Sequence, residues 1–487
     1  MTVCKKIFAV SLACALLAAN VYAQDDWGSD GAAEETSEPT FWDRFKISGD
    51  ATLAGRAYFD SDSAYSTEVN AIPRFKLGFD YEGNATKFSS KIRLDEQTLK
   101  YDNEMILDEF SADLFVGNWV LSAGKMKVVW GKGDKLHVLD NFNSNNYYDF
   151  LIPDYLDRRN SEYMFRAQYN SPLGFRLEGI YTPIMHSESY AQKGRWVPNK
   201  VNTLTENVLA MLDKQYTSLT PSSAMKVLSV SEDLYPDTHK LEYGQFGGYL
   251  NFTVGLFDFG VSYYNGHYKQ VSADVNGLIY AGIAQKYPMF APYVSSLISM
   301  PSLHYDKVQS FGLDMQTALG PFTVRAEAVY NMTKDTSGDD PWVHNNSIGY
   351  LLGFDVSLPI HNVTLNVQGT GNMVLKKKEI GDYKLPAALA AASGLKTVPG
   401  TEQYDVDYDP TGCYTNHKVV VQLQDTFYYE KITATVKAIY GIERYDLVLM
   451  PELSFKVRDG WKIAASGLYI HNFDDNDKSE FAGWLDN

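Results

Sequence analysis

The stretch Lys431-Ile-Thr-Ala-Thr-Val-Lys-Ala-Ile-Tyr-Gly441 decides the fold. Ile432, Ala434, Val436, Ala438 and Tyr440 alternate with Thr433, Thr435 and Lys437. A period of two sends apolar and polar side chains to opposite faces of an extended strand; a helix would need a period near 3.6. The same pattern recurs along the chain. Val363, Leu365 and Val367 alternate with Thr364, Asn366 and Gln368. Phe75, Leu77, Phe79 and Tyr81 stand against Arg74, Lys76 and Asp80, and Phe322, Val324, Ala326, Ala328 and Tyr330 against Arg325 and Glu327. Strands of soluble sandwiches average about five or six residues. These runs are about twice that, the length of a tilted strand crossing a bilayer.

The connections carry the same message. Tight turns fall at Glu82-Gly83-Asn84, Gly117-Asn118, Ser171 to Gly174, Gly255, Leu319-Gly320-Pro321, Pro359 to Asn362, Glu430-Lys431 and Arg458-Asp459-Gly460. Longer connections lie between them, the longest near 183–240, 269–303 and 376–414. Short turns on one rim and long loops on the other are the rule of outer-membrane barrels. The pattern predicts strands near 45–58, 70–82, 86–98, 104–116, 119–130, 161–170, 174–182, 241–254, 256–268, 304–319, 321–332, 346–358, 362–375, 415–429, 431–443, 446–457 and 461–473. A short last strand in 479–487 brings the expectation to 18, with 16 the alternative; the chain ends on Asn487, not on an aromatic residue. The fold class expected is all-β: a transmembrane antiparallel β-barrel with long, partly helical extracellular loops. Val201, Leu204, Val208 and Leu212 sit at helical spacing, Ala387–Leu395 is alanine-rich, and broken apolar pieces fill 277–301. Loops this apolar must bury their faces on one another or in the barrel.

Composition agrees. The chain has 487 residues, with 36 Gly, 34 Tyr and a mean hydropathy of −0.27, too polar for a bundle of membrane helices. Residues 1–23 read as a signal peptide: Lys5 and Lys6, an apolar Ile7 to Ala19, then Val21-Tyr22-Ala23 before the cut. A lipoprotein cut at Cys14 is the competing reading. Residues 24–44 are an acidic, flexible periplasmic leader, and 45–487 the barrel. The uncharged Tyr287 to Leu303 is interrupted by Pro288, Pro292 and Pro301 and is no spanning helix. In lipid every backbone polar group must be satisfied within the protein, so an exported membrane protein without such helices must close a barrel. Net charge is −17 and no basic stripe is present, which excludes nucleic acid. Cys4 and Cys14 leave with the signal and only Cys413 remains, so no intrachain disulfide forms. The expected location is a bacterial outer membrane, with lipid, the barrel-assembly machinery and a small-molecule permeant as partners.

Alternation places Arg56, Arg74, Lys76, Lys91, Arg93, Arg166, Arg176 and Arg325 inward, with Asp50, Asp80, Asp95, Glu178 and Glu327 among them. Opposed rows of charge screen permeants in a pore; the bland alternative is that they pair with each other and solvate the wall. Gly124–Arg166 is the most distinctive segment. It carries Gly124, Lys125, Trp130, Gly131 and Asp134, then Asp140, Asn143, Arg158 and Arg159. This Gly-Lys-x-x-x-x-Trp-Gly-x-x-Asp strand end, followed by an Asp/Asn-rich loop with paired arginines, resembles a family of bacterial porin-like outer-membrane barrel proteins, mostly of unassigned substrate. The resemblance implies a porin-like role. Physically, Gly131 and Gly133 let the chain leave the strand sharply, and Trp130 fits an interfacial aromatic girdle. Asp154, Asp157, Arg158 and Arg159 are candidates to pin a constriction loop by ion pairs; the alternative is a self-satisfied rim loop.

Asp405, Asp407 and Asp409 alternate before Pro410-Thr411-Gly412, a candidate site for Ca²⁺ that lacks the downstream glutamate of a full calcium loop. A solvated acidic loop is the plainer reading. No His-Glu-x-x-His, nucleophile elbow, P-loop or dinucleotide fingerprint is present, so no enzyme is expected. The expected function is uptake of small solutes, partly hydrophobic or carboxylate-bearing on the evidence of the apolar loops. The alternative is a surface adhesin or scaffold with a filled barrel.

Overall fold

The computed structural model describes residues 42–57, 69–100, 102–134, 136–148, 158–191, 235–473 and 479. Among them no helix is long and apolar enough to cross a membrane. The fold is all-β; among the described residues eighteen strands belong to the main sheet. Two compact units divide the chain: Met1–Ala54 with Ala71–Leu114, and Gly55–Asn70 with Phe115–Asn487.

The first unit is built on β1 (Phe45–Ala57), β2 (Val69–Glu82), β3 (Thr86–Leu94) and β4 (Leu107–Val116). The register sets Lys76 opposite Arg93 and Lys91 opposite Glu109. Two cations facing each other across a ladder repel. Asp95 offsets this, 3.8 Å from Arg74 and 3.2 Å from Arg93. Strand β3 stops four residues short of the expected Thr98 because Asp95 caps a helical turn, α1 (Glu96–Lys100), its Oδ1 accepting the Thr98 N–H at 2.9 Å.

The second unit carries β5 (Trp119–Met126), β6 (Glu162–Asn170), β7 (Phe175–Thr182), β8 (Gln245–Val254), β9 (Phe257–His267), β10 (Lys307–Leu319), β11 (Phe322–Thr333), β12 (Ser347–Ser357), β13 (Thr364–Val374), β14 (Thr415–Phe427), β15 (Ile432–Gly441), β16 (Asp446–Arg458), β17 (Trp461–Ser466) and β18 (Tyr469–Asn472). Neighbours pair antiparallel from β5 to β16, and β17 and β18 both pair with β16 as two halves of one crossing. Every strand span read from the sequence down to residue 473 therefore has its counterpart; of the segment 479–487, expected to add the last strand, all but Ser479 lies outside the described residues. Turn geometry follows the chemistry foreseen: Gly117, Gly174, Gly255, Gly320 and Gly460 all take positive φ, which glycine adopts without steric cost. At the β14–β15 turn Tyr428, Tyr429 and Glu430 take positive φ without a glycine.

The faces of this sheet are inverted relative to a water-soluble protein. On the outer face Phe246, Phe311, Leu313 and Leu352 are 45–59 % exposed. On the inner face Tyr264, Asp314 and Glu327 are 1–3 % exposed. Large apolar side chains left open in rows beside buried carboxylates are what a lipid-facing surface around a polar interior requires.

The loops pack on one another. Helix α2 (Asn276–Lys286) sets Ile279, Tyr280 and Ile283 against Val294 and Leu385, with Trp342, Tyr383, Leu389 and Val398 around them; α3 (Ala387–Ser393) belongs to the same cluster. Much of the apolar character of 277–301 and 387–395 is thereby packed within the loops, while Met289, Tyr293 and Leu297 stay exposed. The helical spacing at Val201, Leu204, Val208 and Leu212 lies outside the described residues.

Candidate functional site

Strand β5 ends at Met126, not near Trp130 as the alternation implied, because the chain turns there onto the inner face of the sheet. The segment Val128–Asn143 lies along that face. Val128, Trp130, Leu139 and Phe142 form one buried cluster with Met164 of β6, Ile180 of β7, Tyr249 of β8, Tyr264 of β9, Val308 of β10 and Val329 of β11. Trp130 is 2 % exposed. Its ring stacks on Tyr249 at 5.6 Å and meets Phe142 edge-on at 5.0 Å. Its indole N–H donates to Glu178 Oε1 at 2.8 Å. The expectation of an interfacial girdle for Trp130 is thus corrected: a buried indole needs an acceptor, and the inner wall supplies Glu178. The other carboxylate oxygen of Glu178 accepts Arg166 at 2.5 Å.

Glu327 of β11 anchors the far part of the segment. Its Oε1 accepts the Gly133 N–H at 2.6 Å and sits 3.0 Å from His137 Nδ1; its Oε2 accepts the Val138 N–H at 2.8 Å. A buried carboxylate demands such donors. Gly131, at φ 108°, makes room for it, because a Cβ there would overlap the Glu327 carboxylate. At the tip, Asn366 Nδ2 donates to Asp134 Oδ2 at 3.1 Å and Gln368 Nε2 to the Asp134 carbonyl at 2.5 Å, so the segment reaches β13.

Glycines on the inner wall form the seat. A Cβ on Gly247 would lie 2.9 Å from Trp130 Cη2 and 3.0 Å from Phe142 Cζ; one on Gly312 would meet Leu139 Cδ2 at 2.5 Å; one on Gly349 would meet Val138 at 3.7 Å. Removing the wall's side chains at Gly247 and Gly312 lets the segment approach the backbone, while at Gly349 a Cβ would meet Val138 at ordinary contact distance.

The return of the segment is fixed by Asn143, 2 % exposed. Its Oδ1 accepts the Val128 N–H at 2.8 Å, and its Nδ2 donates to the carbonyls of Met126 at 3.0 Å and Asn160 at 2.9 Å. Arg159 donates to the Asn143 carbonyl at 3.1 Å and forms a buried ion pair with Asp140. Burial lowers the Arg159 guanidinium to about 9, against the charge of Glu162. Beyond it, the half-buried Lys269 donates to Gln245 Oε1 at 2.6 Å and stands 3.5 Å from Glu162. Burial lowers its ammonium to about 8, with Glu162 pulling the other way. Losing the amide staple leaves three backbone groups without partners, each costing about 1–3 kcal/mol. Asn143→Leu is expected to make the segment susceptible to protease in detergent-solubilised protein; cleavage at the wild-type rate would contradict its role.

The expected site residues divide as follows. Arg166, Arg325 and Lys91 each have a carboxylate partner: Glu178, Asp355 and Glu109. Arg74 and Arg93 share Asp95, while Arg56 and Lys76 are engaged as well. Arg176 is exposed on the inner face, between Asn170 and Asn251 in register. Arg158 is half-buried and engaged. Asp154 and Asp157 lie outside the described residues. Arg159 pairs with Asp140; the further anchors are Glu327 and Glu178, both expected to point inward, and Asn143, and all three hold the segment by hydrogen bonds. A signal for the seat was present in the sequence: Gly247, Gly312 and Gly349 all fall on the polar phase of their strands.

Asp405, Asp407 and Asp409 do not gather; among the described residues their carboxylates form no cluster within 4.8 Å. Asp407 accepts the Asn345 N–H at 2.6 Å and lies 2.9 Å from His344 Nδ1. Asp409 accepts the N–H groups of Thr411 and Tyr414 at 3.0 and 2.9 Å and lies 3.4 Å from Arg444. Asp405 and Asp409 close their own turns, as Asx motifs do, while Asp407 ties down the loop that carries His344 and Asn345. Burial, with Asp407 adding to it, raises Asp405 to about 7 although it accepts the Asp407 N–H. Its folded value thus stands above the ordinary 3.8. The neutral form suits the packed loop, so this contribution is complete at acid pH and is lost as pH rises through about 7. Trp342 fluorescence in this cluster should report loosening between pH 6 and 8 in the wild type, at about the ionisation range, and not in Asp405→Asn.

No family model matches the sequence, and no curated protein matches it. Solved structures are similar in fold. OprB of Pseudomonas putida aligns at 11 % identity over 87 % of this chain and 94 % of its own, with a TM-score of 0.39. The outer membrane channel DcaP of Acinetobacter baumannii aligns at 8 % identity over 88 % and 95 %, with a TM-score of 0.37. OmpF of Salmonella typhi aligns at 7 % identity over 88 % and 97 %, with a TM-score of 0.37.

Proposed function

We propose that the sheet closes into a barrel in a bacterial outer membrane, and that the chain is a porin-like channel for small solutes with Val128–Asn143 as its constriction. The observation that carries the reading is the inward-folded segment itself, bonded to Glu178, Glu327 and Gln368 across the inner wall. The inverted faces support it: lipid is the solvent that rewards exposed Phe246, Phe311 and Leu352. A barrel filled by its own side chains, as a scaffold or adhesin would have, needs no bonded segment laid against one side. The inner face of β13–β15 is moreover half-buried rather than covered. Planar-bilayer recording of the refolded chain is expected to show discrete conductance steps. A chain that inserts and conducts nothing would overturn the channel and favour the scaffold.

A further inference from the structure

We infer that His186 and His239 form a binding site for a divalent transition-metal ion of zinc or copper type, which clips together the two ends of the connection between β7 and β8. His186 stands four residues past Thr182, where β7 ends, and His239 six residues before Gln245, where β8 begins. The two chain ends run side by side, the Met185 N–H donating to the Thr238 carbonyl at 3.2 Å. Each histidine follows its half of that bonded pair. A ring nitrogen of one lies within 4.8 Å of a ring nitrogen of the other. The ring centres are 5.3 Å apart and the planes 88° from each other. Ligand nitrogens about 2.1 Å from a tetrahedral ion stand about 3.4 Å apart, which puts their ring centres about 5 Å apart. Two imidazoles that are 53 positions apart in sequence thus already stand at the separation of a chelating pair.

The carboxylates behind the rings are placed as such ligands need. Glu162 is fully buried. Its Oε1 accepts the His186 backbone N–H at 3.0 Å, and its Oε2 lies 3.1 Å from His186 Nδ1. Asp237 Oδ1 accepts the His239 backbone N–H at 3.0 Å and lies 3.7 Å from His239 Nδ1. A carboxylate at Nδ1 keeps the proton there, orients the ring and makes Nε2 the more basic donor to a metal. Both histidines are engaged further, so their rings are held in place. His186 is mostly buried and His239 exposed, so an ion reaches the pair from solvent and water completes its shell. Imidazole nitrogen selects zinc, copper or nickel over calcium and magnesium, which take oxygen ligands.

The experiment titrates Zn²⁺ into the detergent-solubilised chain expressed without Cys4 and Cys14, with Cys413→Ser and without a histidine tag, so that no thiol or tag competes. Saturable binding of one equivalent is expected. His186→Ala and His239→Ala should each weaken it by at least about tenfold, the least that loss of a ligand costs when loss of its supporting carboxylate costs that much. His239→Cys should restore it, because a thiolate replaces the imidazole. Heat-modifiable mobility verifies that each variant is folded. With Cu²⁺ the paramagnetic resonance spectrum should show two coupled nitrogens in the wild type and one in either alanine variant. An edge-to-face contact between two rings, with no metal role, would give no saturable binding. That result, or an affinity unchanged in either alanine variant, overturns the site. Neither bears on the channel reading, which conductance tests separately.

Discussion

Glu327→Ala is expected to raise single-channel conductance several-fold and to make the open current noisy. The carboxylate receives two segment N–H groups and stands 3.0 Å from His137. Removing it strands those donors in a dry interface. Breaking a buried charged network of this kind costs about 3–5 kcal/mol. Since about 1.4 kcal/mol is tenfold, the equilibrium between docked and released segment shifts by roughly two to nearly four orders of magnitude. Glu327→Gln keeps one good acceptor and should fall between. Planar-bilayer recording reads the change, and heat-modifiable electrophoretic mobility verifies that the barrel persists. A conductance equal to wild type would mean that the segment does not narrow the path.

Gly247→Val should have an effect of similar size by a different cause. Its added methyl groups would occupy the place of Trp130 Cη2 and Phe142 Cζ, while the Tyr263 carbonyl, 2.6 Å from the Cβ, blocks retreat. The indole must leave Glu178 and Tyr249, and the cluster loses its largest member. Trp→Ala truncations in such clusters cost about 3–5 kcal/mol. Trp130→Ala should therefore reproduce the conductance of Gly247→Val, and the double variant should add little, because both act through one seat. Additive increases in the double variant would show that the two residues serve different parts of the segment.

The strands were legible because the two faces of the sheet meet different surroundings, apolar on one side and polar on the other, which imposes a period of two along every strand. Lys431–Gly441 shows this most plainly: Ile432, Val436 and Tyr440 all fall on the outer phase of β15. The ends of β3 and β5 were not legible from alternation. Asp95 stops the first with a cap, and the second leaves the sheet while its residues still alternate, so Val128 and Trp130 mimic a continuing strand. The site was half legible. The Trp-Gly-x-x-Asp stretch marked the right segment, and Gly131 and Arg159 have the structural work that their residue types implied. Glu327 and Glu178 were recognisable only as inward charges. Their partners are backbone N–H groups and an indole from residues more than forty positions away, and such pairing leaves no local spacing in the sequence. Alternate carboxylates at 405, 407 and 409 suit a cation, and equally suit two turn closures with a bond to a neighbouring loop between them.

The most direct measurement is proximity of the segment to the wall in the bilayer. In a chain expressed without Cys4 and Cys14 and with Cys413→Ser, Leu139→Cys and Gly312→Cys place two thiols where Leu139 now fills the space left by the missing Gly312 side chain. The account predicts rapid intramolecular bridging by a short bis-thiol reagent in reconstituted protein, with conductance unchanged by the bridge. Thiols that stay unbridged while the protein conducts would contradict it.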